Sequence, residues 1–186
     1  MAQFDTPDRP RAAEDDYFRR QDEAILARAR ESERISHERQ DLAKALGSAD
    51  AESVGRLYAS GLRASTAVAV EWLPAVEVAW LDGADEGERD ALLRRCAKGS
   101  PKDALILLTG WLDRPLSDQV VLAGRRVLYD RLRPLDAEAR HSAIARIISL
   151  CELAGRAAGG VLGFGALSSE ERSHIDSVRH DLDHRR

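Results

Sequence analysis

The sequence predicts an all-α protein, a compact bundle of about six or seven helices preceded by a long charged helical arm. Three observations carry that reading. Ala, Leu, Arg and Glu dominate while consecutive β-branched residues are scarce. Apolar residues recur at three- and four-residue spacings, and no stretch alternates with period two between turn signals. Gly and Pro fall between the periodic stretches, where they act as stops.

In chain order, residues 1–13 hold Pro7, Pro10 and little apolar surface, and read as a disordered tail. Residues 14–46 contain no Pro or Gly and read as a charged helical arm. Asp15 precedes Arg19 and Asp16 precedes Arg20 by four positions, pairs that support an exposed helix by about 0.3–0.5 kcal/mol each. The arm's apolar stripe (Phe18, Ile25, Leu26, Ile35, Leu42, Leu46) is too thin and irregular for a heptad coiled coil. Residues 47–64 read as a connector, with a short helix opened by Asp50 and closed at Gly61.

Residues 65–186 read as the bundle. Val68, Trp72, Leu73, Val76 and Trp80 follow helical spacing, but Pro74 removes a donor and frees the carbonyl of Val70, so a kink or break is expected there. A helix over about 86–97 is followed by the Gly99-Ser100-Pro101 break, then by an apolar helix carrying Leu105, Leu108, Trp111 and Leu112. Ser117 caps the next helix, with Val121, Leu122, Leu128 and Leu132 on its buried face and Pro134 closing it. Asp136 opens a long helix through Ile144, Ile147, Ile148 and Cys151. The apolar, Gly-rich stretch 157–169 is expected to fold over the bundle through Val161, Leu162, Phe164 and Leu167. A last helix presents Ile175, Val178 and Leu182.

Composition removes several function classes. A net charge of −4 offers no general attraction for phosphate backbones, so no nucleic-acid partner is expected. MAQFDTPDRP has no basic segment leading into an apolar one, and no uncharged stretch suits a membrane span. The expectation is a cytoplasmic protein. Cys96 and Cys151 each sit inside a helical apolar pattern and read as buried thiols. The glycines of AGGVLGFG have no preceding strand and no following Gly-Lys-Ser or Gly-Lys-Thr, so they are not a phosphate loop. No Gly-x-Ser-x-Gly elbow occurs, and no catalytic residue is nominated.

The richest stretch is WLDGADEGERDALL, Trp80 to Leu93. Asp85 and Glu88 form a capping box, in which each side chain accepts from the other residue's main-chain amide. Ser168 and Glu171 repeat the layout, and Gly83 and Gly165 precede the two boxes. The echo suggests two similar helix pairs about a pseudo-twofold axis. Residues 76–93, VEVAWLDGADEGERDALL, resemble the signature of the tellurite-resistance TerB-like domains, which are also similar to the N-terminal domain of the DjlA co-chaperones. The resemblance covers roughly 65–182 and implies a compact helical bundle associated with stress response. It also implies cation binding by acidic residues, which here fall on Asp82, Asp85 and Glu88. The chain departs from that pattern at the second turn, where Phe164 precedes Gly165 and Ser168 is the cap.

Several carboxylates within one turn suit a hard cation, although the Asp-x-Asp-x-Asp-Gly order of an EF-hand is absent. Glu77 shares a face with Leu73 and Leu81, and an arginine is expected to pair with it. His180 and His184 have zinc-ligand spacing but lack the intervening Glu of a metalloprotease helix and lie at the terminus. The functional expectation is a non-enzymatic interaction or scaffold module with a protein partner and no cofactor. The alternative is a regulatory domain that binds a divalent cation at the acidic Asp82–Glu88 turn.

Overall fold

The computed structural model describes residues 9–157 and 167–184. Among them there is no strand, and seven α-helices follow the arm, in agreement with the all-α bundle. They divide into two units, residues 1–38 and residues 39–186.

The first unit is the charged arm, part of helix α1 (Arg9–Leu46). The helix begins at Arg9, inside the stretch that reads as a tail. Acid–base pairs stitch its surface, but Arg19 pairs with Asp16 at 2.8 Å, three residues away, rather than with Asp15. Arg34 pairs with both Glu31 and Glu38. Tyr17, Phe18, Ile25 and Leu26 are each more than half exposed.

The second unit takes in more than the expected bundle. Leu42 and Leu46, in the last turns of α1, are fully buried. Helix α2 (Ala51–Ala59) buries Val54 and Leu57 and packs on α6 (Asp118–Leu132). Residues 47–64 are thus part of the core, not a connector. The polar residues between their few apolar ones disguise this, because two or three buried apolar side chains suffice to hold a short helix when each is worth roughly 1.5–3 kcal/mol. Asp50 caps α2, accepting from the amides of Glu52 and Ser53 at 3.1 Å each.

The break expected at Pro74 is a change of helix type. A 3-10 segment (Ala64–Trp72) runs into α3 (Leu73–Ala79), and Pro74 sits in the first turn of α3, where its missing N–H costs nothing. The carbonyl of Val70, deprived of Pro74 as donor, accepts from the amide of Leu73 instead. Helix α3 is the hub of the fold. It packs against α4 (Glu86–Ala97), α5 (Lys102–Asp113), α6, α7 (Ala137–Ala157) and α8 (Ser169–His184). Leu73, Ala75, Val76, Val78 and Ala79 are all at most 2% exposed, so a seven-residue helix serves five neighbours. Two tryptophans fix the adjacent layer: Trp80 Nε1 donates to the Trp111 carbonyl at 3.0 Å, and Trp111 Nε1 to the Ser60 carbonyl at 3.1 Å.

The apolar spacing puts Leu122 on the buried face of α6, but it is 54% exposed. Leu128 and Leu132 are buried as expected and Val121 is half-buried, while Ala123, Gly124 and Val127 complete the face on the side away from Leu122. Among the described residues no helix is long and apolar enough to cross a membrane. The apolar cover expected from Val161, Leu162 and Phe164 lies outside the described residues; Leu167 is partly buried, beside Gly155.

Candidate functional site

Both capping boxes form as the sequence spacing dictates. The chain leaves α3 through a turn in which Gly83 (φ 117°) and Ala84 (φ 48°) take left-handed conformations, and Ala84 is buried at that cost. At the start of α4 the Asp85 carboxylate accepts from the Glu88 amide and Glu88 Oε2 accepts from the Asp85 amide, each at 2.9 Å. At the start of α8 the Ser168 hydroxyl oxygen accepts from the Glu171 amide at 3.1 Å, and Glu171 Oε2 accepts from the Ser168 amide at 2.6 Å.

The third residue of each box does more than cap. Glu88 is 0% exposed and Glu171 4%. Each commits Oε2 to its own cap, and each leaves Oε1 buried with no hydrogen-bond partner. A buried acceptor left this way costs roughly 1–3 kcal/mol, more when charged. The end of α7 lies against both boxes. A Cβ on Gly155 would stand 2.7 Å from Glu171 Oε1, and one on Gly87 would stand 2.5 Å from the Ala157 carbonyl oxygen. Glycine at both positions lets the backbones close around the two carboxyl groups.

The electrostatics follow from the packing. Burial pushes the Glu88 carboxyl up to about 7, and the charges of Asp82, Asp85 and Glu171 add to the rise, while the Asp85 amide opposes it. Geometry places both boxes at the end of α7, Glu171 against Gly155 and the start of α4 against Ala157, and this acidic corner is where the two echoing helix starts pack on one helix.

The residues nominated from sequence divide accordingly. Asp82 is exposed in the turn, and Asp85 is exposed with its carboxylate committed to the Glu88 amide. Glu88 alone of the three is buried in the corner. Its partner there, Glu171, is visible in the sequence only as part of the second box. The signal that marks it is its identity with Glu88 in box position, a position whose side chain folds back toward the helix start. Among the described residues no group of three or more His, Cys, Asp and Glu is arranged to hold a metal. The oxygens on offer in the corner are the two orphaned Oε1 atoms, the donor type that a hard cation takes. An all-oxygen donor set disfavours soft metals. His180 and His184 stack with ring centroids 4.8 Å apart. Cys96 and Cys151 are free and buried, and burial pushes the Cys151 thiol up to about 12.

A second feature lies further along α8. A groove of about 440 Å³ is walled by Val76, Trp80, Leu81, Leu116, Val121 and Leu122. Its floor is an ion network centred on Arg125, 11% exposed. Arg125 donates through Nε and Nη2 to Glu77 at 3.2 and 2.7 Å and through Nη1 to Asp181 at 2.9 Å. His174 Nε2 lies 3.0 Å from Glu77 Oε1 and 3.1 Å from Arg125 Nη2. The arginine expected for Glu77 is thus Arg125, 48 residues away. Burial alone would raise the Glu77 carboxyl, but His174 and Arg125 outweigh it and hold the group below its usual range.

Fold and site together define an all-α domain with a buried two-glutamate corner and a separate apolar groove. No family model matches the chain, and comparisons with curated proteins and with solved structures gave no match.

Proposed function

We propose that this protein is a non-enzymatic regulatory domain that binds a divalent cation at the corner between Glu88 and Glu171. One observation carries the reading: two fully or nearly fully buried carboxylates, on helices that start with the same box, each keep one oxygen without a partner. A buried carboxylate oxygen that lacks a partner is held at lower cost with a cation beside it. Ca²⁺ and Mg²⁺ match the oxygen donors. Calorimetry of the full chain with Ca²⁺, Mg²⁺ and Zn²⁺ tests this. Heat with Ca²⁺ or Mg²⁺ that disappears in both Glu88→Gln and Glu171→Gln supports it, and a silent parent protein ends it. Loss in Asp82→Asn alone would move the site to the exposed turn.

The groove favours a second reading, an interaction module for a protein partner. Its walls are apolar and partly open, while every nitrogen of Arg125 is already engaged, which leaves shape and apolar contact as the means of recognition. A discrete partner bound by the parent and lost in Leu122→Asp, with the fold unchanged, is the expected result. Retention of that partner by Leu122→Asp removes the groove from consideration.

A further inference from the structure

We infer that α8 couples the acidic corner to the Arg125 network, so that cation binding at Glu171 resets the groove floor through His174. The inference rests on the cation reading of the corner and goes one step beyond it, to what occupancy changes.

One face of α8 carries both sites. Glu171 stands in the corner; His174, one turn on at i+3, touches Glu77 and Arg125; Asp181, a further seven residues along the same stripe, holds Arg125 Nη1. Glu171 is tied to the helix start by its own cap bond and by nothing on α4, for its other oxygen has no partner. The helix is anchored more firmly at its far end, where Arg140 donates to the carbonyls of Leu182 and Asp183 at 2.8 Å each and Leu182 is fully buried. The N-terminal turn is therefore the part of α8 with an unbalanced load. With no counter-charge beside either orphaned Oε1 atom, that turn is the one a cation held by both glutamates would draw toward α4.

His174 responds because it is within one turn of Glu171 and makes two contacts at hydrogen-bond distance. Glu77, its partner, sits on the hub helix α3, which five neighbours clamp, so relative motion appears at the His174–Glu77 contact rather than in α3. From Glu77 the change reaches Arg125 and the wall formed by Trp80. Thermodynamic linkage makes the coupling reciprocal: loosening the network alters affinity at the corner.

The test is nuclear magnetic resonance on the uniformly ¹⁵N-labelled full chain, titrated with MgCl₂ and separately with CaCl₂, with calorimetry in parallel. The Trp80 indole and Arg125 Nε resonances, assigned through Trp80→Phe and Arg125→Lys, are expected to shift with the same midpoint as the Asp85 and Ser168 amides, while the Trp72 indole stays still. His174→Ala is expected to bind the cation with its affinity changed about fivefold, at the lower end of measured couplings, and to lose the Trp80 response. Heat and corner shifts without any response at Trp80 or Arg125 overturn the coupling and leave the cation reading standing. Unchanged affinity in His174→Ala likewise overturns the coupling alone. Absence of heat and of corner shifts overturns both.

Discussion

Arg34 in the arm lies between Glu31 and Glu38 with all three side chains a third or more exposed, whereas Arg125 in α6 lies between Glu77 and Asp181 at 11% exposure. The residue types and the short contacts are alike. Their consequences differ because water screens the first set and is excluded from the second. An exposed pair gains little over its solvated partners, while a buried charge that loses its partner has nothing to replace it. The acidic corner extends the contrast: Glu88 and Glu171 are buried like Arg125, but each leaves one carboxylate oxygen without a partner. Charge counting along the sequence would place most of the electrostatic energy in the arm. Burial places it around α8.

The largest expected effect comes from breaking the buried network. Arg125→Ala leaves Glu77 and Asp181 without their partner and is expected to destabilise the second unit by about 3–5 kcal/mol, read from the urea midpoint. A loss under about 1 kcal/mol, the worth of an exposed pair, would mean that water already reaches the network.

Next in size is the pH dependence of the corner, measured with EDTA present. The Glu88 carboxyl titrates at about 7 in the folded chain, above its ordinary 4.5, so the folded state binds its proton more tightly. The stability linked to this group is complete below about pH 4.5 and falls as pH rises to about 7, a loss of about 3 kcal/mol at 1.36 kcal/mol per unit. Glu88→Gln keeps an oxygen for the Asp85 amide and removes the charge. It is expected to flatten that window and to be more stable than the parent at pH 8, by about 1–3 kcal/mol. A parent curve flat from pH 5 to 7.5 contradicts the buried corner.

Gly155→Ala probes the same place by shape. Its Cβ would stand 2.5 Å from Leu167 Cδ2 and 2.7 Å from Glu171 Oε1, so a loss of about 1–3 kcal/mol is expected from overpacking. Unchanged thermal stability would show that the start of α8 has room to retreat. At the small end, Arg34→Ala should leave the urea midpoint of the second unit unmoved, even though it removes contacts to two glutamates. A shift of that midpoint would erase the distinction between the two regions.

The boundary between those regions also sets how truncations are read. Deleting residues 1–46, the arm as the sequence draws it, would remove Leu42 and Leu46 from the core. Deleting residues 1–38 respects the units, and the remainder is expected to show a cooperative unfolding transition. The apolar pattern of α1 changes little at residue 38, so its sequence alone gives no mark there.

Local rules did determine a good deal. Helix propensity, apolar spacing, and the Gly, Pro and cap residues set the all-α class, most helix limits from α2 to α8, and both capping boxes, because each depends on neighbours within about four positions. Even the expected disturbance at Pro74 came from one missing N–H and one freed carbonyl. Tertiary structure decided the rest: that Arg125 is the partner of Glu77, that Leu122 faces outward, that residues 39–64 belong to the core, and that Glu88 and Glu171 share one buried corner. The paired residues among these stand dozens of positions apart, and burial is a property of what packs above a side chain, which no single helix specifies. The sequence announced two matching helix starts, and only the packing of α4 and α8 on α7 buried the glutamate that each of them carries.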